Sequence, residues 1–289
     1  MWKIILVIII IFLIIKTCKY RSNYKNIENF NTNNKIIFSI IIPLYNNEIY
    51  INNTIMSIIN QSFKNFEIIV IDDKSSDNSY KKVKNLQKKY KNIRLFKNDK
   101  NLGTYKSLNK GIILSNGKYI TCLGSDDIFD KNRLFEDYKG LQKKTIVISG
   151  YTRKDELTNK LYGRFKYGES MISFNKLIIK DIGFYLNCRF GGDTEFLDRI
   201  KIIYGNNGIY KINKILYYAI IKKNKKNLTI IHNSNTRKKF RRYYQNLHKN
   251  YNTNITQNVN NNIKKDLTEI LISEDDHNKN LDILKIKII

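Results

Sequence analysis

Two rhythms of apolar residues alternate along the chain from Lys35 onward. The run KIIFSIIIP, Lys35 to Pro43, is almost continuously β-branched, as in a strand buried on both faces. Ile51, Ile55, Ile58 and Ile59 then recur at the spacing of one helix face. FEIIVID, Phe66 to Asp72, repeats the strand pattern, and a helical segment around Val83 and Leu86 follows it. NIRLF is a short third strand and Gly103 to Ser115 a further helix. KYITCLG makes a fourth strand and TIVISG, Thr145 to Gly150, a fifth. Strands alternating with helices predict an α/β fold with a mostly parallel central sheet flanked by helices.

Past Gly150 the pattern weakens. Tyr151 to Arg164 fits a hairpin, FNKLIIKDIGFY and DTEFLDRIKIIYG fit helices, and GIYKINKILYYAII fits two strands. From Asn233 the chain is basic, rich in Asn and helical in pieces, and no internal repeat is visible.

The first twenty residues differ from all this. Ile4 to Ile15 is uninterrupted and apolar between Lys3 and Lys16. A membrane span needs about 20 apolar residues. Adding Met1, Trp2, Thr17 and Cys18, with both lysines reaching to the interfaces, gives a marginal span. No small-residue cleavage site follows, which favours an uncleaved anchor over a signal peptide. The expected division is an anchor over 1–20, a polar stalk over 21–35, a folded domain over 36–232 and a basic, Asn-rich helical tail over 233–289. Lys16, Lys19, Arg21 and Lys25 outnumber Lys3 across the span, which puts the domain on the cytoplasmic face.

Composition changes this picture little. Of 289 residues, 52 are Lys or Arg and 25 are Asp or Glu, a formal charge of +27. Such an excess invites a nucleic-acid partner. Lys is evenly spread, however, in a chain saturated with Asn, Ile and Tyr, so compositional bias accounts for it and no nucleic-acid partner is expected. Between Lys222 and Lys249 stand ten basic residues and no acid, a contact for anionic lipid or phosphate or else a solvated face. Cys18, Cys122 and Cys188 form no CxxC pair, and the three histidines, His232, His248 and His277, have no metal-ligand spacing.

The chemistry gathers at strand ends. In parallel sheets ligands bind beyond the carboxyl ends of the strands. The first strand runs into Pro43-Leu44-Tyr45-Asn46-Asn47, the second into Asp72-Asp73 and the fourth into Ser125-Asp126-Asp127. Paired carboxylates there either hold a divalent cation on phosphate oxygens or cap the next turn or helix. Pro43 ends a ladder, and Tyr45 offers an aromatic face to a base. Asp193 follows Gly191 and Gly192 at a helix start, where the dipole alone favours an acid and where a general base could also stand. GTYKSLNKG is no phosphate loop, because GxxxxGK[ST] is missing.

Taken together these segments resemble glycosyltransferase family 2, inverting nucleotide-sugar transferases of the GT-A fold with a Rossmann-like nucleotide-binding half. FSIIIPLYNNEIYINNTIMSIINQSFKNFEIIVIDDKSSDNS is similar to the family opening, and NLGTYKSLNKGIILSNGKYI to the segment after it. SDD falls where the family carries its DxD region, and GGDTEF matches its Gly-(Glu/Asp)-Asp-x-Glu-Phe. The resemblance implies that Pro43 and Tyr45 line a base pocket, that Asp73 hydrogen-bonds uracil and that Asp72 supports the turn. It further implies Asp126 facing ribose or sugar, Asp127 coordinating Mn²⁺ or Mg²⁺ on the diphosphate, and Asp193 as catalytic base. One sugar would pass from a nucleotide-sugar donor, a UDP-sugar, to the hydroxyl of a glycan, lipid-linked or protein acceptor.

The chain also departs from the family pattern. Gly124 replaces the first acid of DxD, and Ser107-Leu108 replaces Ala-Arg before Asn109. Ala219-Ile220-Ile221-Lys222 stands where many members have Tyr-Arg-x-His ahead of Ser/Thr. The missing His implies either a weaker metal site or a lysine charge standing partly in its place. The Gln-x-x-Arg-Trp motif of processive synthases is absent, which points to single addition. A non-catalytic member that binds nucleotide or glycan is the alternative.

Overall fold

The computed structural model describes residues 36–188, 190–222 and 234–249. The expected anchor and stalk, 1–35, lie outside the described residues. Among the described residues no helix is long and apolar enough to cross a membrane.

Eight strands form one sheet. Strand β1, Phe38–Leu44, lies parallel to β2, Phe66–Asp72, and to β4, Tyr119–Cys122. β3, Ile93–Lys97, extends the parallel half beyond β2. On the other side β7, Leu161–Asn175, runs antiparallel to β4 and to β6, Ile146–Asp155. β8, Ile209–Ile221, is parallel to β6 and carries the two-residue β5, Ile128–Phe129, at the edge. The order is β3-β2-β1-β4-β7-β6-β8-β5. The α/β reading holds, and the parallel pattern holds best where the β-branched runs are longest. Ile40, Ile41, Ile42, Ile68, Ile69 and Val70 are all fully buried, each contributing roughly 2 kcal/mol of transfer free energy.

The helices connect these strands. They are α1, Ile51–Ile59, α2, Ser79–Lys89, α3, Thr104–Leu114, α4, Arg133–Leu141, α5, Ile179–Ile182, α6, Gly192–Tyr204, and α7, Ser234–Lys249. Leu108 and Ile112 of α3 and Phe196 and Ile200 of α6 meet Ile41, Ile120 and Phe174 of the sheet in one core. Close approach needs glycine. A Cβ on Gly111 would sit 2.3 Å from Ile41 Cγ2, and one on Gly117 2.5 Å from the Ser39 amide nitrogen.

Three expectations change. GIYKINKILYYAII forms one long strand rather than two. Its register slips, with Ser149 opposite Ile212 but Gly150 opposite Ile215, so the polar interruption at Asn213-Lys214 is an irregularity within the strand and not a turn. FNKLIIKDIGFY starts inside β7 and yields only a single turn at Lys176–Ile178 followed by the four-residue α5. The expected hairpin is real but much longer, β6 against β7.

Part of the expected tail packs on the domain. Tyr244 of α7 is buried and donates to Asp198 at 3.1 Å, and His248 Nε2 lies 2.9 Å from Glu195 Oε1 on α6.

Candidate active site

The loops after β1 and β2 are laced together at the sheet's carboxyl edge. Asn46, at φ 48°, accepts at Oδ1 from the Ser76 amide at 2.8 Å, and its own amide donates to Ser75 Oγ at 3.1 Å. The Asn47 amide donates to Ser79 Oγ, and the Glu48 amide to Asp77 Oδ2. Pro43 sits inside β1 opposite Ile71, and the β4 ladder stops two residues earlier, at Ile41 opposite Cys122. The proline thus follows the end of the β4 pairing while the β2 pairing continues to Leu44, a correction to its reading as the strand terminator. Tyr45 is the next residue outward and is half exposed.

The two acids after β2 divide their work. Asp72 is fully buried, and its Oδ2 accepts from the Ser75 amide at 3.3 Å, which supports the turn. Its Oδ1 is buried with no hydrogen-bond partner among the described residues, and burial raises the carboxyl above the usual range. Asp73 accepts at Oδ1 from Asn98 Nδ2 at 2.9 Å and the Leu102 amide at 2.7 Å, and at Oδ2 from the Gly103 amide at 2.8 Å. It caps α3 from across the sheet edge, where Gly103 at φ 92° offers no side chain of its own. Among the described residues three of its four acceptor sites are used, which leaves one for a base N–H.

Asp126 and Asp127 follow β4, and they differ sharply. Asp127 accepts from the Tyr217 hydroxyl at 2.6 Å and from the Ile220 amide at 3.0 Å, so β8 holds both its oxygens. Burial, then the neighbouring Asp126 charge, pushes its carboxyl up to about 7. Asp126 is more open, and its Oδ2 meets Lys222 Nζ at 2.6 Å. Lys222 also donates to Asn47 Oδ1 at 3.0 Å, while Asn47 Nδ2 donates to Ser125 Oγ at 2.5 Å. Asn47 therefore ties the loop after β1 to the loop after β4 and to the end of β8.

Asp193 stands in the first turn of α6 behind Gly191 at φ 71°. The Tyr105 hydroxyl of α3 donates to its Oδ1 at 3.0 Å. A Cβ on Gly192 would lie 2.9 Å from Tyr105 Cε1, so this glycine admits the ring. Among the described residues no hydrogen bond joins Asp193 to the Asp126–Asp127 pair.

Pro43, Tyr45, Asp73, Asp126 and Asp127 thus share the edge formed by β1, β2 and β4, while Asp193 is carried separately by α6. Sequence reading missed Asn98, Tyr105 and Tyr217 as members, and it placed Asn47 at the end of the first strand without giving it a role. Asn98 was open to detection, since it follows β3 as the acids follow β2 and β4.

A divalent ion fits this set poorly. Among the described residues no three His, Cys, Asp or Glu side chains cluster to hold one. Mg²⁺ and Mn²⁺ take several oxygen ligands. Here Asp127 is engaged at both oxygens and Asp126 Oδ2 is held by an ammonium, leaving Asp126 Oδ1 as the one oxygen of the pair with no donor among the described residues.

The profile of glycosyl transferase family 2 matches residues 39–200, and the chain belongs to that family. An uncharacterized glycosyltransferase of Haemophilus influenzae is 37% identical over 116 residues, 40% of this chain and 46% of that protein. The chain thus spans less than half that relative's length. The UDP-Glc:alpha-D-GlcNAc-diphosphoundecaprenol beta-1,3-glucosyltransferase WfgD of Escherichia coli is 31% identical over 189 residues, 65% of this chain and 71% of that one. S. aureus TarS 1-349, in its complex with UDP-GlcNAc, superposes with a TM-score of 0.55 at 21% identity, covering 65% of this chain and 59% of the 1-349 chain. PcManGT, a mannosyltransferase from Pyrobaculum calidifontis in complex with GDP-Man and Mn²⁺, superposes at 0.53 with 14% identity, covering 65% and 58%. The chain shares their fold, an α/β GT-A-like arrangement.

Proposed function

We propose that this chain transfers one sugar from a nucleotide-sugar donor, a UDP-sugar in the first instance, to an acceptor hydroxyl with inversion. The observation that carries the reading is the meeting of three strand-end loops at one sheet edge, joined by Asn47 and lined by Tyr45, Asp73, Asp126 and Asp127. WfgD, a glucosyltransferase named for its UDP-Glc donor, matches over the longest share of its own length among the relatives described above, which supports uridine as the base.

In this reading Pro43 and Tyr45 border the base, Asp73 offers its remaining acceptor site to the base, and Asp126 faces ribose or sugar. Asp127 fixes the loop that carries Asp126. Asp193 takes the proton of the acceptor hydroxyl as that oxygen attacks the anomeric carbon. The bond from this carbon to the diphosphate oxygen breaks, and its electron pair leaves with the nucleotide. Tyr105 orients the carboxylate for that task. The family resemblance brings Mn²⁺ or Mg²⁺ to Asp127, but the donor set leaves no ready place for such an ion, and no step here passes through it.

Residues 1–20 as a membrane anchor, with the domain on the cytoplasmic side, would bring the site close to lipid-linked acceptors. Resistance of the full chain to alkaline extraction from membranes tests that placement.

Calorimetric titration with UDP, GDP, CMP and dTDP tests the donor class. Binding of UDP ahead of the other three supports the reading, whereas indifference to all four by folded protein removes it. The altered region around Gly124 favours one second reading, a nucleotide-binding member without turnover, and release of UDP from a UDP-sugar separates the two.

A further inference from the structure

Lys222 occupies an unusual position for a lysine in so basic a chain. Its side chain is only 13% exposed, and the ammonium sits 2.6 Å from Asp126 Oδ2, 3.0 Å from Asn47 Oδ1 and 4.7 Å from the centre of the Tyr50 ring. Tyr50 is fixed in turn by donating to Glu156 at 2.6 Å. These partners come from the loop after β1, the loop after β4 and the start of α1, so the ammonium is placed from three directions. An ammonium has three N–H donors, and two are used here. Among the described residues nothing accepts the third, which is open to a group outside the protein. The surrounding acids do not compete strongly for an ion, since Asp127 is closed by Tyr217 and the Ile220 amide.

We infer that Lys222 is the resident cation of this site, binding the diphosphate of the donor through its ammonium so that nucleotide is held without a divalent ion. This rests on the nucleotide-sugar reading above. The same charge then serves departure of the nucleotide. When the anomeric carbon–oxygen bond breaks, the diphosphate gains one negative charge, and a fixed ammonium beside it offsets that charge with no metal to load. Lysine binds phosphate as a point charge, which suits a ligand whose oxygens rotate.

Titration of the full chain with UDP in EDTA, and again with Mn²⁺, tests the inference. Wild-type protein is expected to bind UDP with the same affinity in both. Lys222→Ala should weaken binding in EDTA by roughly ten- to a hundredfold, the weight of one charge-assisted hydrogen bond, and Lys222→Arg should keep most of it. Thermal melting of each variant confirms the fold, and the Arg variant retains the charge if the Ala variant does not fold. Binding that requires Mn²⁺, or a folded Lys222→Ala protein that binds UDP in EDTA like wild type, overturns the inference and leaves the nucleotide-sugar reading standing. Failure of folded wild-type protein to bind UDP in both conditions overturns the inference and removes uridine as the base of the donor.

Discussion

Tyr105 on α3 donates its hydroxyl to Asp193 Oδ1 on α6 at 3.0 Å. The ring is itself buried and leans on Tyr185, 5.8 Å away between centroids. Burial, followed by the Asp193 charge, raises the Tyr105 hydroxyl far above its ordinary range, so it remains a donor at every working pH. The proposed base is thus aimed by a group that cannot ionise away from it. Tyr105→Phe keeps the packing and removes the bond. We expect kcat to fall about tenfold, with the donor KM unchanged, since a hydrogen bond to a charged group is worth roughly 1.5–3 kcal/mol. Steady-state kinetics decide, and an unchanged kcat would separate Tyr105 from the chemistry.

Asp73 carries a structural duty apart from any ligand. Asp73→Ala leaves the Leu102 and Gly103 amides without this acceptor, while Asn98 Nδ2 loses one of its two and keeps Ser107 Oγ at 3.0 Å. Buried donors stripped of a partner cost roughly 1–3 kcal/mol each, offset in part by entering water, so a loss of about 3 kcal/mol is expected. Urea denaturation measures it. A midpoint equal to wild type would show that the carboxylate does not hold the start of α3.

Glu195 makes the fold sensitive to acid. Burial alone would raise its carboxyl, but the Arg199 guanidinium and the His248 ring hold it below 4.5. Its oxygens meet Arg199 Nε at 2.9 Å, Arg199 Nη2 at 2.8 Å and His248 Nε2 at 2.9 Å. A depressed acid contributes stability that is complete above its unfolded value of 4.5 and is lost as pH falls through the folded value. Glu195→Gln should cost about 3 kcal/mol at neutral pH, as when one partner of a buried pair is removed, with a smaller deficit near pH 3. Melting curves across that range check it. A deficit independent of pH would mean that Glu195 contributes shape and not charge.

Gly117 is the tightest glycine against backbone. Its added Cβ would fall 2.5 Å from the Ser39 nitrogen and 2.6 Å from the Phe38 carbonyl carbon. Gly117→Ala should therefore push β4 from β1 and cost about 2 kcal/mol. Equilibrium unfolding with no loss of stability would contradict that packing.

The parallel half of the sheet was legible because β1 and β2 bury both faces, which leaves an unbroken β-branched signature. Legibility faded in β8. There the slip of register around Gly150 and Ile215 inserts polar residues that read as a turn. β5 has only two residues and no pattern to detect. In the candidate site, the acids were visible as acids, but their partners were not. Asp73 is satisfied by Leu102 and Gly103, about thirty positions on, and Asp127 by Tyr217 and Ile220, 90 and 93 positions on. Local capping rules look a few residues ahead, whereas these bonds exist only once the sheet has brought its edges together.

Asp193 is the residue on which the proposed transfer depends most. The most direct measurement is release of UDP by the full chain from a panel of UDP-sugars, for wild type and for Asp193→Asn. Wild type should turn over at least one donor, with Asp193→Asn slower by roughly 10²- to 10⁴-fold and still able to bind UDP. Folded, UDP-binding wild type that releases nothing from any donor, or an Asp193→Asn enzyme as fast as wild type, would contradict it.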